Sequence, residues 1–308
     1  MPTPIPPLET MIKEITPWEK KGGIWFKRED KFAPFGAHGP NGAKLRQIIH
    51  LFDRHRGNAT HVMTAASILS PQHSMTAALA ARYNLPSLHI IGATTVEKAS
   101  RHPNIKMALG LGAQFEAILV AYNPALQNHL AKKRKPDTFV VEYGISAPGG
   151  ANPKVEDLEA FHRVGARQVG NLPDEVKTLI VPAGSCNSLT SVLYGLSFDS
   201  KNVTKVVSVG IGPNKVEWTK KRLEMLGVTR FDFEWNTKIS LHDSGFAAYG
   251  DRMEEKYEGI RFHPTYEGKI IRWMKKNEAL TPDVGIGFWI VAAEADEAVM
   301  RPYYTVEQ

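Results

Sequence analysis

The chain has 308 residues, 43% of them apolar and 23% charged, with a formal net charge of +6 and a pI near 9.2. That composition belongs to a globular protein of one or two domains and excludes a disordered or low-complexity polymer. No apolar run reaches the length of a membrane-spanning helix, and the single cysteine, Cys186, excludes an intramolecular disulfide and fits a reducing cytoplasm.

The opening Met1-Pro-Thr-Pro-Ile-Pro-Pro lacks the basic start and apolar stretch of a signal peptide. Strands are predicted at 24–27, 61–64, 87–91, 115–120, 138–142, 178–181, 205–209 and 288–291. Several are nearly continuous apolar runs, as in strands buried on both faces. Helices are predicted at 43–56, 71–83, 104–111, 124–134, 155–169, 187–196, 215–226 and 266–276. Such alternation implies parallel sheets with helices on both faces. Basic clusters at Lys132–Lys135 and Lys220–Arg222 sit near predicted helix ends, where cations suit the macrodipole. The mildly basic balance also admits an anionic substrate or a nucleic acid.

Four segments carry chemistry. In the first, the apolar run Ile24-Trp25-Phe26 is followed by Lys27-Arg28-Glu29-Asp30, a loop rich in Gly, Pro and Asn, and then Lys44-Leu45-Arg46. Lys44 opens a helix whose apolar face is Leu45, Ile48, Ile49 and Phe52. A lysine held at such a junction can be desolvated, as Schiff-base chemistry requires; the plain alternative is a surface lysine in a first turn. In the second, Ser70-Pro71-Gln72-His73, the serine reads as an N-cap with proline at the first helical position. A helix N-terminus also suits an anion such as a substrate carboxylate.

The third, Gly184-Ser185-Cys186-Asn187-Ser188, is a small-residue turn between a strand and a helix. It can aim backbone N–H groups and hydroxyls at a phosphate, or simply be a turn. Cys186 at that helix start is either a thiol of lowered pKa or a small residue that fits. The fourth, Tyr266-Glu267-Gly268-Lys269, is a helix start with a carboxylate favourably placed on the dipole. Neither metal-ligand spacing nor a dinucleotide-binding glycine pattern appears, and no metal site is expected.

Together these segments resemble the fold type II pyridoxal 5'-phosphate (PLP) enzymes, and most of all the branch of D-cysteine desulfhydrase and 1-aminocyclopropane-1-carboxylate (ACC) deaminase. The resemblance implies an α/β fold of two three-layer domains with largely parallel sheets and a cofactor cleft between them. Residues 1–46 and 144–308 would form the large PLP-binding domain and 47–143 an inserted small domain. It implies that Lys44 carries PLP and acts as base or acid at the substrate α-carbon. Gly184, Ser185, Cys186, Asn187 and Ser188 would hold the phosphate and Glu267 would face the pyridine nitrogen. Ser70, Gln72 and His73 would meet substrate, and Tyr266 with Tyr249 would handle a proton.

Two departures stand out. Pro71 occupies the place of a family asparagine that contacts the cofactor ring, and proline offers no donor. Cys186 and Asn187 replace glycines of the phosphate loop. The activity implied is deamination or β-elimination of a small amino acid to a 2-oxo acid and ammonia. The departures and the basic charge support an alternative, a PLP enzyme acting on an amino acid attached to a nucleotide or DNA base, for example by decarboxylation. A catalytically inactive PLP-fold binding protein, or a plain basic nucleic-acid-binding protein, would be non-enzymatic alternatives. A homodimer without membrane association completes the expectation.

Overall fold

A computed structural model of the chain describes residues 7–36, 39–120, 122–150, 152–277 and 285–294. Its strands are β1 (Trp18–Lys21), β2 (Ile24–Arg28), β3 (His61–Ala66), β4 (Ser87–Gly92), β5 (Gln114–Ile118), β6 (Thr138–Val141), β7 (Thr178–Ala183), β8 (Lys205–Gly210), β9 (Glu234–Ser240), β10 (Lys256–Tyr257), β11 (Ile260–Arg261) and β12 (Ile286–Ile290). Its helices are α1 (Leu8–Met11), α2 (Ala43–His55), α3 (Gln72–Arg82), α4 (Val96–Ala99), α5 (Pro103–Gly110), α6 (Asn123–Lys133), α7 (Val155–Ala166), α8 (Asn187–Leu196), α9 (Val216–Met225) and α10 (Glu267–Lys276).

Two sheets organise the molecule. The larger has the order β1-β2-β12-β7-β8-β9 and the smaller β5-β4-β3-β6. Every pairing in them is parallel except β1 with β2. All four strands of the smaller sheet come from 61–141, within the predicted insert. The eight predicted strands are all present within a few residues of the expected limits. Two strands of the larger sheet were not predicted, and both lie at its edges. In β1, Trp-Glu-Lys-Lys, and in β9, Glu-Trp-Asn-Thr-Lys-Ile-Ser, polar residues interrupt the apolar run that marks a doubly covered strand. The β1–β2 turn is Gly22-Gly23, both with positive φ, as a two-residue hairpin needs.

Helix α2 shows why the first motif folds as it does. Its Leu45, Ile48, Ile49 and Phe52 are buried in one core with Val62, Leu79 and Phe161, each contributing roughly 1.5–3 kcal/mol. Helix α3 starts one residue later than its sequence suggests. Pro71 takes the cap position, while the Ser70 hydroxyl accepts the Gln72 N–H at 3.2 Å. Helix α7 ends at Ala166 and passes into a 3-10 turn over Arg167–Asn171 rather than running on to Val169. No described helix is long and apolar enough to cross a membrane.

Candidate active site

In parallel α/β sheets the loops that follow the carboxyl ends of the strands converge on one side, and ligands bind there. Here the ends of both sheets face a common cavity of about 560 Å³. Ser67 and Ser70 enter it after β3, Tyr143 and Gly144 after β6, and Gly184 and Ser185 after β7. Ile211 and Gly212 enter after β8, Val291 and Ala292 after β12.

Lys44 lies on the cavity wall in the first turn of α2. Burial depresses its ammonium to about 8, with Lys215 adding to the effect. The residues around it in sequence turn out to be scaffolding. Gly42 has φ 97° and packs so tightly on the end of β12 that a Cβ would meet the Val291 carbonyl at 2.3 Å. Ala43 N–H donates to that carbonyl at 2.8 Å, and Ala293 N–H donates to Asn41 Oδ1 at 2.8 Å. Arg46 is fully buried against Glu29 and Phe32 and donates to the Ile12 carbonyl at 2.9 Å. Lys27 is buried too, donating to the Thr16 carbonyl at 2.7 Å and to Asn171 Oδ1 at 2.8 Å. The charged motif thus fixes the start of α2 and leaves one amine to the cavity.

The third motif lines the same cavity through Gly184, Ser185, Cys186 and Ser188. Cys186 takes the left-handed conformation, φ 66°, that a glycine would otherwise supply. Burial raises its thiol, so the expectation of an activated thiol gives way to that of a small residue that fits. Asn187 turns away from the cavity: its amide donates to the Gly144 and Ile145 carbonyls at 3.0 and 2.9 Å. Its side chain thus braces two loops and leaves only its backbone N–H for the expected phosphate contact.

Tyr249 and Tyr266 line the cavity, their hydroxyls 3.3 Å apart. Burial pushes both phenols up, Tyr266 well above the ordinary tyrosine value, so both hold their protons. Buried Lys269 donates to the Ala248 and Tyr249 carbonyls at 2.6 and 2.8 Å and fixes Tyr249 in place. Gly268 is required by a close approach, since a Cβ would meet the Met253 carbonyl at 2.1 Å. Glu267 is fully buried; its Oε1 accepts the Val291 N–H at 2.7 Å and its Oε2 has no partner. Burial raises its carboxyl to about 8.

The second motif divides. Ser70 lines the cavity. Gln72 does not: its amide donates to Thr64 Oγ1, the Val141 carbonyl and the Glu142 carbonyl at 2.7, 3.2 and 3.1 Å. Its Oε1 accepts the Gly144 N–H at 2.9 Å, so the side chain ties β3 to the loop after β6. His73 is buried against His89, ring nitrogens 3.2 Å apart, beside Phe115. Burial holds its imidazole down to about 4. Both residues are corrected from substrate contacts to core. The sequence reading also passed over Tyr143, Asn123 and Lys215, all on the cavity wall. No group of three or more metal-binding side chains occurs among the described residues.

No family model matches the chain. The chain is 30% identical to the O-seryl-dTMP PLP-dependent decarboxylase of Salmonella phage ViI, over 88% of its own length and 78% of the phage protein. It belongs to the fold type II PLP-dependent enzymes. Among solved structures it resembles an ACC deaminase homologue, with TM-score 0.66, 18% identity and 97% and 99% of the two chains covered. It also resembles an L-serine ammonia-lyase from Rhizomucor miehei (TM-score 0.58, 13% identity, 96% and 99% covered). A third is an O-acetylserine-dependent cystathionine beta-synthase from Helicobacter pylori (0.59, 14%, 99% and 99%). These likenesses carry the fold.

PLP is the cofactor of this family member, and the cavity fits it. Lys44 offers an amine of lowered pKa, and the turn 184–188 opens a helix toward the cavity as a phosphate would need. Glu267 is not itself on the cavity wall: it sits buried behind Val291, a wall residue whose N–H it accepts, and its Oε2 has no hydrogen-bond partner. A buried carboxylate oxygen without a donor is costly, and a protonated pyridine nitrogen is the donor that PLP brings.

Proposed function

We propose that the protein removes the carboxylate of an amino acid attached to a nucleotide. The observation that carries this reading is the 30% identity, along 88% of the chain, to an enzyme named for decarboxylating O-seryl-dTMP. Bound PLP supplies an electron sink for the pair left when a bond at an amino acid α-carbon breaks. Lys44 would anchor the cofactor, and its amine of lowered pKa is the group that could hold a proton beside the substrate α-carbon. Glu267 stabilises the charge on the ring nitrogen. In the reaction the bond from the α-carbon to the carboxylate breaks, CO2 leaves, and a proton takes its place.

That proton must arrive quickly. In an O-linked serine the β-carbon carries an oxygen, and an unquenched electron pair at the α-carbon can expel it. The phenols of Tyr249 and Tyr266 hold their protons and lie at the cavity, so either can deliver one. Ser70, which lines the cavity beside Pro71, binds the substrate by its hydroxyl.

A second reading is deamination or β-elimination of a small amino acid, supported by Ser70, Tyr266 and Glu267 at positions matching the deaminase branch. One experiment separates the two. The PLP-loaded protein is given O-seryl-dTMP and, in parallel, D-cysteine, D-serine and ACC. Release of CO2 with an aminoethyl group left on the nucleotide supports the proposal. Release of a 2-oxo acid and ammonia from the small amino acids, with O-seryl-dTMP untouched, rejects it.

A further inference from the structure

The cavity wall carries two lysines, Lys44 and Lys215, and no described aspartate or glutamate. Lys44 is committed to the cofactor. The ammonium of Lys215, just before α9, has no ion pair or hydrogen bond among the described residues. Its ammonium lies 5.7 Å from the centre of the Tyr143 ring. Tyr143 belongs to the other sheet's side of the cleft, in the loop after β6, and keeps 38% of its surface exposed. An ammonium with no anionic partner among the described residues and a part-exposed aromatic ring therefore meet across the cleft, on residues given no part in holding the cofactor.

Neither feature suits a free small amino acid. The α-carboxylate of such a substrate has the hydroxyl of Ser70 on the same wall, and nothing in a small aliphatic side chain calls for an aromatic face. A nucleotide has both complements: a planar base, which stacks on aromatic rings, and a phosphate, which a lysine binds as a point charge.

We infer that Tyr143 and Lys215 form a nucleotide subsite, the tyrosine ring stacking on the base and the lysine pairing with the phosphate of an amino-acylated nucleotide. This rests on the nucleotide-linked reading above and adds the residues that would enforce it. The subsite orients the nucleotide so that its appended amino acid reaches Lys44.

The test uses the PLP-loaded protein and measures binding of dTMP, thymidine and a short oligothymidylate by calorimetry, with PLP affinity measured alongside. Wild type binds dTMP more tightly than thymidine. Lys215→Gln lowers dTMP affinity about tenfold, the effect of one charge-assisted contact, and leaves thymidine affinity and PLP affinity as they were. Tyr143→Ala weakens dTMP and thymidine alike. The oligothymidylate tells whether the phosphate is read in a free nucleotide or within DNA, through which of the two ligands loses more affinity in Lys215→Gln. Wild-type binding of dTMP with an unchanged dTMP-to-thymidine ratio in Lys215→Gln overturns the subsite alone. A loss of PLP affinity in Lys215→Gln overturns it too, since the lysine would then serve the cofactor. Wild type binding none of the three ligands removes both the subsite and the nucleotide-linked function.

Discussion

The two walls of the cleft obey different rules. On the wall built by the larger sheet, most of the residues picked out by sequence converge: Lys44, Gly184, Ser185, Cys186, Ser188, Tyr249 and Tyr266 line the cavity, while the Asn187 side chain turns away. Glu267 lies behind them, off the cavity wall, bonded to the Val291 N–H and with Oε2 unpartnered. On the wall built by the smaller sheet Ser70 and Pro71 line the cavity, and Gln72 and His73 are turned into the core. The difference follows from what each wall must hold. One cofactor imposes one arrangement of amine, phosphate cradle and carboxylate. Substrates vary, and the second wall presents Tyr143 and Asn123 where family motifs led us to expect Gln72 and His73.

Mutations can break this contrast. The largest effect is expected on the cofactor wall. Lys44→Ala should abolish the visible, borohydride-sensitive absorption of lysine-bound PLP and lower turnover about 10³-fold or more; a mutant that keeps the band would remove Lys44 from its role. Glu267→Gln should lower kcat by about 10²-fold, read by steady-state kinetics at saturating PLP.

The same carboxyl gives a pH test on the cofactor-free protein. Its pKa is raised by burial from 4.5 to about 8. Between those values the unfolded chain has lost a proton that the folded one keeps, so stability falls as pH rises through that window. Thermal melts of the apo protein from pH 5 to 8 should therefore slope downward less in Glu267→Gln than in wild type. Equal slopes would show that Glu267 is not the titrating group.

On the substrate wall the contrast is between stability and activity. Gln72→Ala leaves the buried Gly144 N–H without its acceptor and removes a donor from Thr64 Oγ1 and from the Val141 and Glu142 carbonyls, and should cost about 2–3 kcal/mol in denaturant unfolding. Ser70→Ala should cost only about 0.5–1 kcal/mol in unfolding, from the lost contact with the Gln72 N–H, while reducing kcat/KM about tenfold. If Gln72→Ala proved stable but raised KM, the assignment of that side chain to the core would fail.

Much of the architecture was legible because it rests on burial. The parallel strands are apolar runs, and the helix faces repeat with the helical period. The edge strands β1 and β9 were not legible, since a strand half-open to solvent mixes polar residues into the run. The site was legible where special chemistry meets backbone constraint, as at Gly42-Ala43-Lys44 and Glu267-Gly268. Gln72 and His73 misled because a polar residue in a first helical turn reads as facing a ligand, while the sequence does not say which side of the turn is buried. Lys215 passed unnoticed because a lysine after Pro213-Asn214 looks like any solvated helix start. Only the fold brings it over Tyr143, 72 residues earlier in the chain.

The position of β12 has a consequence for how the enzyme is made. This strand, Ile286–Ile290, inserts between β2, complete by Arg28, and β7, which begins at Thr178. Its end supplies the carbonyl that receives Ala43 and the N–H that holds Glu267. A chain emerging from the ribosome starts with its N-terminal part, so Lys44 is synthesised early and waits for almost all that follows. Until β12 arrives, neither the lysine nor the carboxylate has its mooring. Cofactor capture is therefore tied to completion of the central sheet, a slow, non-local event, and a nascent chain stalled before residue 286 would carry the reactive lysine without the site that gives it a purpose.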